Sequence, residues 1–399
     1  MDSNPRKSRP SRLSRQLRCC LLALVMTSVR VALSAYTTLG LGGPAGRFIE
    51  AVGDDELVAL VRAADQAGDP LLVLGGGSNL VVADEGFPGT VIHVATEGVM
   101  VSERGSPNGA GSDGFGTVAV TVAAGETWDR LVEWTVSEKL SGIECLSGIP
   151  GLAGATPIQN VGAYGQEVSQ TILAVRAFDR QSGNVVTLSS AQCGFGYRTS
   201  MLKRAAAGLA TGRYIVLDVT FGLGRSSPSG PALSAPVRYS ELARTLGVAQ
   251  GDQVPLEEAR EAVLALRRGK GMVLDPADPD TRSAGSFFTN PILTDEQFAE
   301  VQRRATQRYG PQTQIPRLPA GTQDGTVKVS AAWLIEQAGF GKGYGGAACI
   351  STKHTLALTN PGSADTATLL ALARQIRAGV RETFGVELAN EPVLVGVSL

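Results

Sequence analysis

The sequence predicts an α+β protein of two domains, on three observations. The first half alternates short apolar runs with glycine-rich loops. A Gly/Ser/Pro segment at 222–236 interrupts that pattern, and beyond it the periodicity lengthens to that of helices. A chain of 399 residues with 43% hydrophobic content also has enough apolar material for two or three cores.

Residues 1–35 read as a basic extension. Arg6, Lys7, Arg9, Arg12, Arg15 and Arg18 precede an apolar run, Cys19 to Val29, that ends at Arg30. The order superficially sketches a secretory leader; the plainer reading is a disordered extension, or residues ahead of a start near Met26. The run is too short to span a bilayer, which takes ~20 apolar residues.

From Tyr36 the pattern is regular. Asp54 to Gly68 reads as an amphipathic helix, acidic at its start, where the helix dipole favours carboxylates, and closed by glycine. Residues 71–74 and 80–82 read as short strands around a glycine run. Strands follow at 90–94 and 117–123, with the Gly/Ser/Asn-rich segment 102–116 as a surface loop between them. Trp128, Leu131, Val132 and Val136 recur at helical spacing within 127–140. Segment 142–165 holds six glycines and two prolines, too broken for a regular element. Strands return at 173–178, 184–188 and 213–221. After the 222–236 linker, helices are expected at 256–268, 294–309 and 365–384. The second opens with Thr294-Asp295-Glu296-Gln297, a capping box, and the third stops at Gly385. A last strand, 392–397, is placed to return to the first domain. The organisation is thus a first domain over 36–225, a second over 236–385, and a returning strand within 386–399.

Composition excludes whole classes of function. Thirty-six Lys plus Arg against thirty-seven Asp plus Glu leave a net charge of −1, with no positive field for a nucleic acid. Two histidines, His93 and His354, and five cysteines without a Cys-x-x-Cys spacing leave no metal site to write and no His-centred triad. The cysteines read as those of a reduced, cytoplasmic protein. Forty-nine glycines, well above the ~7% usual in proteins, direct attention to backbone loops as ligand sites.

Each candidate site has a plainer reading beside it. Gly75-Gly76-Gly77-Ser78-Asn79-Leu80 follows a strand directly. Without Cβ atoms its backbone N–H groups can converge on a pyrophosphate, or the run is a tight turn between strands. It matches neither the Rossmann spacing nor a P-loop. Ser147-Gly148-Ile149-Pro150-Gly151-Leu152-Ala153-Gly154-Ala155-Thr156-Pro157-Ile158-Gln159-Asn160-Val161-Gly162-Ala163-Tyr164-Gly165 is long, irregular and uncharged, and a large flat ligand would satisfy its backbone. Arg198, within Phe195-Gly196-Tyr197-Arg198-Thr199-Ser200, is a charge for a site or a surface arginine packed on Tyr197. Ser286 lies between Gly285 and two phenylalanines; histidine scarcity argues against a nucleophile and leaves proton donation open. Glu391 in isolation is a solvated carboxylate at a strand start, and Lys270 and Lys328 are isolated lysines.

In this order these segments resemble the UDP-N-acetylenolpyruvoylglucosamine reductase family, flavoenzymes of bacterial peptidoglycan precursor synthesis. The resemblance runs from Thr37-Thr38-Leu39-Gly40-Leu41-Gly42-Gly43 to Val395-Gly396. It implies an FAD-binding domain of the vanillyl-alcohol-oxidase type followed by an α+β substrate-binding domain. FAD would lie on Gly75 to Leu80 and on the Ser147–Gly165 loop. Arg198, Ser286 and Glu391 stand at the family's three catalytic positions. Val237-Arg238-Tyr239-Ser240-Glu241-Leu242 and the stretch through Lys328 resemble the larger subtype, in which a tyrosine closes over the sugar nucleotide. Tyr239, Lys270 and Asn290 would then contact the UDP part. Thr289 stands where some members carry lysine.

The resemblance also implies ping-pong turnover by a cytoplasmic monomer. NADPH reduces FAD and leaves, and the enolpyruvyl ether of UDP-N-acetylglucosamine then takes the hydride. Arg198 would stabilise the developing charge, Ser286 supply the proton and Glu391 assist it. The rival reading is another FAD-dependent alcohol or aldehyde oxidase or dehydrogenase of the same fold. A non-catalytic flavin or nucleotide binder would lack those three residues, and a secreted protein rests on the N-terminus alone.

Overall fold

The computed structural model describes residues 31–103, 116–206, 209–226, 230–318 and 325–399. The N-terminal run with Cys19 and Cys20, most of the 102–116 loop and part of the 222–236 linker lie outside the described residues.

The chain opens on a small parallel sheet. Strands Ala45–Ala51, Phe87–Val94 and Leu71–Leu74 lie side by side with Phe87–Val94 in the middle. Helix Asp54–Ala67 crosses from the first to the third and buries Leu57, Val58, Val61 and Ala64 on one face. Its opening acids Asp54, Asp55 and Glu56 sit at the positive end of the helix dipole, and Gly68 closes it in the left-handed conformation, φ 68°. Strand Ala45–Ala51 escaped the sequence pattern because, as an edge strand, it buries only its two ends.

A larger antiparallel sheet follows, in the order Asn184–Ser189, Ile172–Asp179, Tyr214–Arg225, Thr117–Ala123, Val99–Glu103. Val99–Glu103 is an exposed edge, with Met100 69% accessible, so it lacks the in-out alternation that marks a strand. Strand Tyr214–Arg225 corrects the linker reading: it runs four residues into the segment taken as connection. Gly222 and Gly224 suggested a loop, but they pair with Ala119 and Thr117, and Leu223 between them is fully buried. Helix Trp128–Ser137 packs on this sheet through Trp128 against Phe221, and the indole donates to Leu146 O at 3.0 Å.

Beyond residue 230 the packing divides. Helices Ser240–Leu246 and Leu256–Gly269 bury Leu242, Ala259 and Val263 together with Cys145 of the first domain. Residues from 284 to 388, joined by Leu39, Leu41 and Val81 of the first half, form another core around helices Asp295–Tyr309, Ala331–Gln337 and Thr366–Phe384. Thr294 caps the first of these with Gln297 as its reciprocal partner, and Asp365 caps the last. Polar contacts tie the two halves further. The Asp84 carboxylate accepts from Thr366 N and Ala367 N at 2.8 and 3.0 Å, and Thr366 Oγ1 donates to Val82 O. Strand Val393–Val395 pairs in parallel with Leu80–Val82. Among the described residues no helix is long and apolar enough to cross a membrane.

Candidate functional site

The glycine run that joins strands Leu71–Leu74 and Leu80–Val82 forms one wall of a cavity of about 510 Å³. Ile149, Pro150, Gly151, Ala155, Gln159, Gly162, Ala163 and Tyr164 form another. The two segments meet backbone to backbone: a Cβ on Gly76 would sit 2.8 Å from Gly151 Cα. Gly77, at φ 56°, has Tyr36 O where a Cβ would be. Ser78 Oγ donates to Pro150 O at 3.0 Å, and Asn79 Nδ2 donates to Gln159 Oε1 at 3.0 Å. This is a wall of main chain with small side chains, and it fits a large flat ligand carrying a diphosphate.

Not every residue of the long loop faces the cavity. Ser147 is fully buried, its hydroxyl donating to Glu144 O. Gly148 N donates to Asp129 Oδ1, and Gly154 lies where a Cβ would strike Ala124. Asn160 spends its side chain on Glu167, Gly196 O and Ser169 N. Gly165 backs onto Arg238 and Tyr239. These five hold the loop's shape, because irregular backbone needs internal partners as well as a ligand.

Arg198, Ser286 and Glu391 come together on the cavity from three distant segments. Arg198 sits in a turn closed by the Gly196–Thr199 bridge, at φ 52°, a left-handed conformation that costs a non-glycine residue energy. Its Nε lies 3.1 Å from Glu391 Oε1. Lys203 Nζ donates to Arg198 O at 3.2 Å and so braces that turn. Ser200 anchors it further by donating to Ile158 O. Glu391 N donates to Phe287 O, which ties the carboxylate to the residue after Ser286. Ser286 ends strand Ser283–Ser286, opposite Ala357.

At the other end Tyr239 stands edge-on to Tyr164, with ring centroids 5.5 Å apart. Lys270 Nζ lies 5.4 Å from the Tyr164 ring and 2.6 Å from Glu241 Oε2. Burial pushes the Tyr164 hydroxyl up to about 12, so the phenol is neutral. Asn290 and Lys328 are not on this cavity. Asn290 lines an adjoining one of about 800 Å³ that shares Arg198 and Lys203, and its Oδ1 accepts from Ala331 N. The Lys328 ammonium sits 3.7 Å over the Tyr197 ring. Both thus lie against Tyr197, next to Arg198.

Among the cavity residues that escaped the sequence reading, three are basic. Lys203 lies five residues after Arg198, and burial lowers its pKa. Arg267, one helical turn before Lys270, is 7% exposed, and burial brings it down to about 10. His354 is lowered to about 4, first by burial and then by Lys270, Lys342 and Arg267, so its imidazole is neutral. The i, i+3 spacing of Arg267 and Lys270 was the one signal available.

Comparison with known proteins agrees with this architecture. Residues 46–189 match the FAD binding domain family, and residues 276–395 match the UDP-N-acetylenolpyruvoylglucosamine reductase C-terminal domain family. The chain is 59% identical over 370 residues to the UDP-N-acetylenolpyruvoylglucosamine reductase of Thermobifida fusca, covering 92% of this chain and 98% of that one. It is 57% identical to the protein of that name from Streptomyces coelicolor, covering 92% and 90%. The crystal structure of the Thermus caldophilus reductase superposes with a TM-score of 0.57 at 26% identity, over 92% of this chain and 98% of that one. The expected flavin domain with a C-terminal α+β domain is thus observed, and the chain belongs to the UDP-N-acetylenolpyruvoylglucosamine reductase family.

Proposed function

We propose that this chain reduces the enolpyruvyl ether of UDP-N-acetylglucosamine to UDP-N-acetylmuramate with NADPH, in peptidoglycan precursor synthesis. The observation that carries the reading is the meeting of Arg198, Glu391 and Ser286 on a cavity walled by two glycine segments. FAD, when bound, would supply the hydride chemistry that links NADPH to the terminal carbon of the enol ether. Gly75 to Leu80 and the cavity-facing part of 149–164 hold the cofactor through main-chain groups, within the 36–225 domain.

Arg198 faces the enolpyruvyl carboxylate. Its guanidinium stabilises the negative charge that develops on the neighbouring carbon, and its braced turn keeps it from reorienting as that charge forms. Ser286 holds the proton that the second carbon receives. Glu391, 3.1 Å from Arg198 Nε, fixes the guanidinium and assists the proton transfer. Tyr239 closes over the nucleotide beside Lys270, within the 236–385 domain. The proposal includes a cytoplasmic monomer acting on small soluble anions; the unpaired Cys145, Cys193 and Cys349 fit a reducing compartment.

The test is direct. Purified protein should be yellow, and UDP-N-acetylglucosamine enolpyruvate should accelerate its oxidation of NADPH; a colourless protein, or oxidation unaffected by that substrate, refutes the reading.

A further inference from the structure

Two buried side-chain nitrogens among the described residues lack a hydrogen-bond partner, Arg198 Nε and Arg267 Nε, and both guanidinium groups line the same cavity. Arg198 has the Glu391 carboxylate beside it. Among the described residues Arg267 has no carboxylate within ion-pair distance. Its Nη2 donates to Met272 O at 2.8 Å. Asp129, the acid that acts on it through space, is already held by Arg260 at 2.8 and 3.2 Å and by Gly148 N at 2.6 Å. A buried cation without a counter-charge is costly, and it persists where a ligand supplies the missing negative charge.

The position of Arg267 selects the ligand. It sits in the last turn of helix Leu256–Gly269, where the helix dipole favours a cation, and reaches the glycine loop of the first domain. A Cβ on Gly148 would lie 3.4 Å from its Nε, and Ile149 and Pro150, which follow, line the cavity. Lys270 is paired with Glu241 and more exposed, as suits a cation for a substrate that comes and goes. We infer that Arg267 is the fixed counter-charge to the flavin ring in its reduced state, a role that rests on the flavin reading above. Hydride transfer from NADPH delivers two electrons and one proton to a neutral ring and releases NADP⁺. The ring then carries one negative charge until the hydride moves on to the enol ether. A guanidinium held dry beside the ring favours that charged state in advance of it.

The test is the flavin midpoint potential of the holoenzyme, measured against a reference dye without the enolpyruvyl substrate. Arg267→Gln is expected to weaken the equilibrium for two-electron reduction at least ~10-fold, equivalent to about 30 mV. Arg267→Lys keeps the charge but draws it back from the loop, and is expected to lie ~3-fold down; it carries the test if the glutamine variant takes up no FAD. Sulfite, which adds an anion to the oxidised ring, gives a second readout and should bind more weakly in the same order. A wild-type protein without flavin overturns the functional reading itself. A yellow, NADPH-reducible wild type whose variants keep its potential and sulfite affinity overturns this inference alone.

Discussion

The floor of the cavity and its reacting rim are built on opposite principles. The floor is main chain: Gly76 meets Gly151 and Gly77 meets Tyr36 O, and what matters there is the room that a Cβ would take. The rim is side chain: Arg198, Ser286 and Glu391 come from three separate segments, and what matters is their chemistry. On the proposed function, a floor residue is constrained through folding and cofactor shape, a rim residue through the reaction. Mutations in the two regions should separate stability from rate.

The sharpest separation is expected at Ser286. Ser286→Ala should slow flavin reoxidation by the enolpyruvyl substrate at least ~10²-fold while NADPH-dependent flavin reduction stays near wild type. Stopped-flow traces of the two half-reactions measure this, and equal loss in both would remove Ser286 from the proton-donor role. Gly77→Ala is the opposite case. With φ at 56° and Tyr36 O in the way, it should cost about 2–3 kcal/mol of stability in denaturant unfolding. Gly346→Ala, with no atom within 4 Å of its Cβ, should stay within about 0.5 kcal/mol. Matching losses at the two glycines would break the account of the floor.

His354 tests a rim side chain through stability. Its folded pKa, about 4, lies below the ordinary 6.5, so the unfolded chain binds a proton first as pH falls. The stability that comes from holding it neutral is present above about 6.5 and is lost as pH drops toward 4. Between about pH 7 and pH 5 this amounts to about 2 kcal/mol. His354→Gln should flatten that slope, and an unchanged slope would show the imidazole to be solvated. The smallest effect is expected at Lys203. Lys203→Met should lower the second half-reaction about 10-fold, with flavin reduction little changed, because the Arg198 turn loses the bond to its carbonyl. Lys203→Arg should restore most of it.

The same contrast explains what was legible in the sequence. The floor announced itself, because clustered glycine after a strand is visible in one dimension. Which glycines face the ligand was not: Gly148 and Gly154 look like Gly151 until Leu264 and Ala124 are seen packed against them. Arg198, Ser286 and Glu391 were legible as ordered motifs. Arg267 and Lys203 were not, since their meaning lies in burial and in a neighbour's carbonyl. Asn290 and Lys328 were assigned to the ligand through the family resemblance alone; in the fold both lie against Tyr197, and Asn290 lines the adjoining cavity that shares Arg198. Gly222 and Gly224 show the reverse error, since glycine within a strand reads as loop when Leu173 and Ser141, the side chains packed over the two positions, are unseen.

One pairing bears on the order in which the enzyme becomes complete. Strand Leu80–Val82 has a single ladder partner among the described residues, Val393–Val395, which follows Glu391 directly. Asn79, on the glycine run, receives Val393 N at 2.9 Å and reaches toward Glu391 O. During synthesis the cofactor floor is made early, and it waits with an open strand edge for a segment some three hundred residues later. A nascent chain short of residue 395 thus lacks both the anchor of Glu391 and the strand that closes the glycine loop. The site is therefore not closed until this distant segment has paired, and until then the growing chain carries an adhesive edge.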